Sequence, residues 1–160
     1  MAATRNNIGK SIYMSSSLPA TNDSTGFEAL TWTQINGVQQ LPQLGVDHAN
    51  IDVPDLLTGF TTGIKGATSG VVSQMTFRKV TSDTGQANLR TASDDSQGLI
   101  AIKIGTGSGT GGALVTGDAV QYAQGYAFGY QENQGNETTH EGFTVSFHQN
   151  ALTIDATEPV

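Results

Sequence analysis

Three histidines and one glycine-rich run are the places where residue types and spacing could carry chemistry. His48 sits beside Asp47 with Asp52 near, and His140 is flanked by Glu137 and Glu141. A metal ion needs ligands that converge from one face. Neither group has the i, i+4 helical spacing or the tight alternate-strand spacing that would force convergence. Ser146 and His148 would share a strand face, but no acid partner or sharp nucleophile turn accompanies them. The run G-T-G-S-G-T-G-G over 105–112 contains a formal G-x-G-x-x-G at Gly107, Gly109 and Gly112. A dinucleotide site needs a helix opening on the last glycine, so that its N–H groups face the pyrophosphate. Ala113-Leu114-Val115-Thr116-Gly117 does not start a helix, and no Gly-Lys-Ser/Thr occurs, which excludes a P-loop. The run reads as a flexible hairpin tip, and the histidines read as exposed loop or strand residues. No catalytic, cofactor-binding or metal-ligating residue emerges, and no enzyme is expected.

The bulk properties narrow the partners. A chain of 160 residues is long enough for one domain with a real core. The formal net charge of −7 and a pI near 4.6 disfavour binding to a nucleic-acid backbone by counterion release. There is no cysteine, which removes disulfides and thiolate metal sites and leaves the redox compartment open. No apolar h-region follows Arg5 and Lys10, and no apolar run approaches membrane-spanning length. Twenty glycines among many Thr, Ser and Gln favour strands joined by turns.

One stretch looks helical, S-D-T-G-Q-A-N-L-R-T-A over 82–92. Ser82 or Asp83 can serve as N-cap; with Asp83, Gln86 falls where its side chain can reach back to the cap N–H. Leu89 and Ala92 then share a face. The acidic pair Asp94-Asp95 opposes the carbonyl end of the dipole, so the helix should end before it. About three turns are too few to stand alone in water, so the rest of the chain is read as sheets on which this helix packs.

The strands are read from alternation. Met75 and Phe77 with Val71 oppose Gln74, Thr76 and Arg78; Ile100, Ile102 and Ile104 alternate with Leu99, Ala101 and Lys103; Phe143, Val145 and Phe147 alternate with Thr144, Ser146 and His148. Leu152 and Ile154 resume the pattern near the end. Between Val120 and Gln131, an aromatic face (Tyr122, Tyr126, Phe128, Tyr130) should pack a core, while Gly and Ala on the other side admit a second layer. Leu30 and Trp32 alternate with Thr31 and Thr33. Asn36-Gly37 then signals a hairpin, the alternative being one kinked strand through Val38 to Leu41. Residues 1–17 read as an N-terminal arm, frayed or bound to a neighbouring subunit.

Residues 46–70 show no sustained period, yet carry Ile51, Val53, Leu56, Leu57, Phe60 and Ile64. A disordered segment is poor in such side chains, and a long structureless loop in a compact domain is uncommon. Either these residues fold back on the domain's own core, or another chain covers them. The second reading makes the six residues a subunit contact.

L-P-A-T from Leu18, G-F-E-A-L-T-W-T-Q-I-N-G-V from Gly26, the S-D-T-G-Q-A-N-L-R helix and the closing F-T-V-S-F strand together resemble the tail tube proteins of long-tailed bacteriophages. The resemblance implies a mostly β fold, a β-sandwich or half-barrel with a single flanking helix from about Asp83 to Ala92, spanning 18–160 as one domain. It implies hexameric rings that stack into a tube whose channel passes the genome at ejection. In such tubes a long loop reaches the adjacent ring, and 46–70 stands where that loop should be. The implied partners are further copies of the chain and other tail proteins such as tape measure and terminator proteins, with DNA as passing cargo and no membrane. The implied location is the virion tail, assembled in the host cytoplasm. An acidic channel would let DNA slide, where a basic wall would trap its phosphates. Two alternatives stay open, a tube of the type VI secretion kind that conducts proteins, and a β-sandwich module that binds glycans or a receptor.

Overall fold

The computed structural model describes residues 8–160. Ten strands are formed by Lys10–Ser15 (β1), Thr33–Ile35 (β2), Val38–Gln40 (β3), Val46–Pro54 (β4), Thr61–Gly70 (β5), Val72–Arg78 (β6), Leu99–Thr106 (β7), Ala119–Asn133 (β8), Gly142–Gln149 (β9) and Ile154–Thr157 (β10). Ser24–Glu28 (α1) and Thr84–Asp94 (α2) are helices. The fold is mostly β, as expected, with α2 the main helix. No helix among the described residues is long and apolar enough to cross a membrane.

Eight strands form one antiparallel sheet in the order β2-β1-β7-β8-β9-β6-β3, with β10 also paired to β8; β4 and β5 form a separate ribbon. The two ends of the long path, β2 and β3, are joined only by Asn36-Gly37. Three Cα steps of 3.8 Å separate Ile35 from Val38 by at most about 11 Å. The sheet therefore curls until its ends nearly meet, giving a half-barrel. Asn36-Gly37 is thus not the turn of a two-strand hairpin; the alternative of a single bent strand describes it. Ile35 pairs with Ile12 of β1, and Val38 with Phe77 of β6. Gly37 makes the corner at φ +78°, where a side chain would also strike the Arg78 carbonyl.

The concave side holds the main core. Ile12, Ile35, Phe77, Ile102, Val145 and Phe147 meet there, and Leu89 of α2 seals it. The alternation read in β6, β7 and β9 is therefore the alternation observed. In β8 the faces are used differently from expectation. Ala123 and Ala127, on the small side, face the main core. The aromatic side supplies a second core only at its start, where Tyr122 stacks on Phe27 at 5.0 Å and Trp32 at 5.7 Å. Tyr126 and Phe128 lie beyond that cover. A bulge at Gly129 (φ +69°) then turns Tyr130 inward onto Phe143 at 5.0 Å.

Asp83 caps α2, accepting from the Gln86 N–H at 2.9 Å. The Gln86 side chain does not return to the cap as expected. Its Oε1 accepts from Val80 N, and its Nε2 donates to the Asn36 and Arg78 carbonyls. The helix also runs to Asp94, past the expected stop. Arg90 lies 3.9 Å from the Asp94 carboxylate, and the Asp95 carboxylate accepts from Gln97 N and Gly98 N, so both charges find partners other than the helix end.

Two expectations fail near the N-terminus. Residues 10–15, read as part of an arm, are β1, paired between β2 and β7 with Ile12 and Met14 buried; residues 1–7 lie outside the described residues. A second, short helix, α1, stands at Ser24–Glu28, where the sequence showed none. Asp23 caps it by accepting from Gly26 N at 2.7 Å, and it delivers Phe27 to the second core.

Candidate assembly surface

Residues 46–70 form the β4–β5 ribbon, so the stretch that shows no sustained period has a definite register. Ile51 lies opposite Ile64, Val53 opposite Thr62, and Asn50 opposite Lys65. Directly opposed residues share a face. One face of the ribbon is therefore apolar (Ile51, Val53, Ile64), while the other carries Asn50, Asp52 and Lys65. Ile51 and Ile64 remain 53% and 52% exposed. None of the six predicted contact residues belongs to either core.

The tip is organised by one carboxylate. Asp55 accepts from Leu57 N at 2.8 Å and from the Thr58 hydroxyl at 2.9 Å, and Gly59 N donates to the Asp55 carbonyl at 2.9 Å. These bonds, led by that from Leu57 N, hold the Asp55 carboxyl below its ordinary value. The consequence is a turn that presents Leu56 and Leu57 almost wholly to solvent, with Phe60 at 71%. The Gly- and Thr-rich composition conceals this local order.

The ribbon is rooted by Gln149, which the sequence reading did not single out. Its buried side-chain carbonyl accepts from Gly45 N at 2.9 Å; its amide donates to Ala151 O at 2.7 Å and Thr153 Oγ1 at 2.8 Å. Gly70 passes so close that a Cβ there would overlap the Gln149 carbonyl. No periodicity points to such a residue, because its partners are main-chain groups and a hydroxyl around it.

The residues weighed for chemistry do not assemble a site. The His140 ring meets Gln39, the His148 ring meets Asn150 and stacks on Tyr126, and His48 stands exposed on β4. Among the described residues no three His, Asp or Glu side chains are grouped to hold a metal. The glycine-rich run joins β7 to β8 as the tip of a long hairpin. Asp118 pins it, accepting from Ser108 N, the Ser108 hydroxyl and Val115 N, which lowers its carboxyl below the ordinary value. Two of the lysines are likewise held by carboxylates. Lys79 bridges Glu132 and Glu141, and buried Lys103 meets Glu158 at 3.0 Å beneath the rings of Tyr13 and Trp32.

No family model matches the chain, and neither does any curated protein. Solved structures do. The SPP1 tail tube matches at TM-score 0.62 and 14% identity, over 94% of this chain and 78% of that one. The sheath/tube terminator of an extracellular contractile injection system, PVC, matches at 0.64 and 9% identity, over 97% and 98%. A chain of the anti-feeding prophage baseplate, determined with 6-fold symmetrisation, matches at 0.55 and 8%, over 100% and 99%. The chain thus shares the fold found in tail tube and contractile-injection assemblies.

Proposed function

We propose that this chain is a structural subunit of a phage tail tube, forming hexameric rings that stack around a channel for the genome. The observation that carries the reading is the rooted, one-sidedly apolar ribbon on a tail-tube fold: its apolar side chains stay exposed and join neither core among the described residues. Ile51, Val53, Leu56, Leu57, Phe60 and Ile64 are the residues proposed to join neighbouring subunits, within one domain over 18–160 to which β1 is added. Burying them on assembly yields about 25 cal/mol per Å2 of apolar surface.

The chain's role is structural and not enzymatic in this reading, its place is the virion tail, and it is made and assembled in the host cytoplasm. Tape measure and terminator proteins are the expected further partners. The −7 balance and the carboxylate partners of Lys79, Arg90 and Lys103 suit a channel past which a polyanion slides. The likeness to two contractile-injection proteins favours a second reading, a tube that conducts proteins. Negative-stain electron microscopy of the purified chain tests the common ground of both. Rings or tubes are expected; a uniform monomer at high concentration overturns it.

A further inference from the structure

Leu99, Tyr126, His148 and Val72 stand side by side on four adjacent strands. Tyr126 is registered with Leu99 on one side and His148 on the other, and His148 with Val72. The row crosses the outer face of β7-β8-β9-β6 and is about 14 Å wide at the usual strand spacing. Tyr126 stacks on His148 at 4.9 Å and tilts against Phe128 at 5.5 Å. Val72 is 57% exposed, and Leu99 and Phe128 are each 38% exposed. No Lys, Arg, Asp or Glu stands in this row or beside Phe128 in the next, where Ser146 and Gln74 follow. An uncovered sheet face normally alternates polar residues toward water, so a charge-free aromatic row is a surface kept for contact.

We propose that this row receives the apolar face of the β4–β5 ribbon from a second copy of the chain. The proposal rests on the tube reading, which says that copies stack, and adds where they touch. Charge selects the occupant. Every copy carries −7, so a contact between copies is least opposed where neither surface has a charge to desolvate. Ile51, Val53 and Ile64 on the ribbon and Val72, Tyr126 and Phe128 on the sheet satisfy that condition together. The same chain cannot make the contact with itself in this state, since its ribbon is rooted at Gly70 beside Val72 and both surfaces remain exposed. Because the two surfaces differ, the contact is head-to-tail. It closes into rings or runs on as a filament, whereas a two-fold dimer would pair ribbon with ribbon.

The absence of cysteine from the chain makes a direct test available. Ile51→Cys and Phe128→Cys are prepared separately, allowed to assemble alone or mixed, and treated with a short bismaleimide. The expected result is a cross-linked dimer in the mixture and at most a trace in either variant alone. A dimer as abundant with Ile51→Cys alone overturns the proposal in favour of ribbon-to-ribbon pairing. Assemblies visible by microscopy without a mixed cross-link overturn it and leave the tube reading standing; no assembly of the Cys-free chain overturns both. As a second arm, Phe128→Glu should melt within a few degrees of the parent yet lose assembly at least tenfold. Unchanged assembly by that variant also overturns the proposal.

Discussion

The Gln86 side-chain amide donates to the carbonyl of Asn36 at 2.7 Å, fastening the main helix to the corner where the two ends of the sheet meet. The same nitrogen donates to Arg78 O at 2.9 Å, while Oε1 accepts from Val80 N at 3.1 Å. Asp83 completes the fastening from the cap position, accepting from the Asn36 side chain at 2.6 Å. Helix start and sheet seam are therefore one polar unit. Removal of the Gln86 amide leaves three main-chain groups without their partner, each worth about 1–3 kcal/mol when buried. Gln86→Ala should cost roughly 1–3 kcal/mol in urea unfolding, the cost of at least one such group left unpaired. A loss below about half a kcal/mol would show that water replaces the amide freely.

Leu89 is fully buried between α2 and the sheet. Leu89→Ala should destabilise the chain by about 2–5 kcal/mol, the range for a packed leucine that leaves a cavity. Equilibrium denaturation measures it. A value under 1 kcal/mol would mean that the helix is not docked there.

Deletion of residues 55–65 removes the ribbon tip and much of β5, but nothing from either core. The shortened chain should stay folded and soluble with a near-parent melting temperature, and should not form tubes. Unfolding would assign the ribbon to the subunit's own stability. Tubes formed without it would show that the joint lies elsewhere.

The order of the tip depends on the charge of Asp55. Its carboxyl is held below the ordinary 3.8 by the Leu57 N–H first and the Thr58 hydroxyl next. A lowered folded-state pKa stabilises the folded form above the ordinary value, and that contribution is lost as pH falls through the folded one. The Leu57 amide signal should therefore stay constant down to about pH 4 and change only below 3.8. A transition at or above 3.8, or one that persists in Asp55→Asn, would contradict the assignment.

The isolated chain should not bind duplex DNA at physiological salt. Three of its scarce cations, Lys79, Arg90 and Lys103, are paired with carboxylates, and its surplus is negative. A gel shift that weakens steeply with added salt would refute this, because that slope reports phosphate contacts.

The sequence disclosed those elements whose side chains answer only to local rules. β6, β7 and β9 alternate cleanly because one face of each meets the main core, and Asp83 is a cap by type and position. β8 misled because large side chains were assumed to point inward. In fact α2 needs the close approach that Ala123 and Ala127 permit, and the bulge at Gly129 reverses the sense for Tyr130. β1 was missed because Ile12 and Met14 sit in a polar stretch, and their partners lie far along the chain. Gln86 and Gln149 were invisible as fastenings, since a glutamine that bonds the main chain leaves no pattern. The six ribbon residues were singled out by composition; their arrangement on one face and a tip needed the register of β4 against β5.

The pairing of β1 with β7 bears on how the chain is made. Ile12 meets Ile104, a residue synthesised more than 90 positions later. Until β7 has emerged, β1 lacks its partner strand, and the corner at Gly37 cannot bring the sheet ends together around a finished core. Contacts this distant slow the search for the native state and lengthen the time an open strand is available to other chains. A subunit kept from joining its neighbours until it has folded suits an orderly tube. Here that delay is written into the strand order: the apolar ribbon, complete by Gly70, precedes on the ribosome the strands β7, β8 and β9 that carry most of the row proposed to receive it.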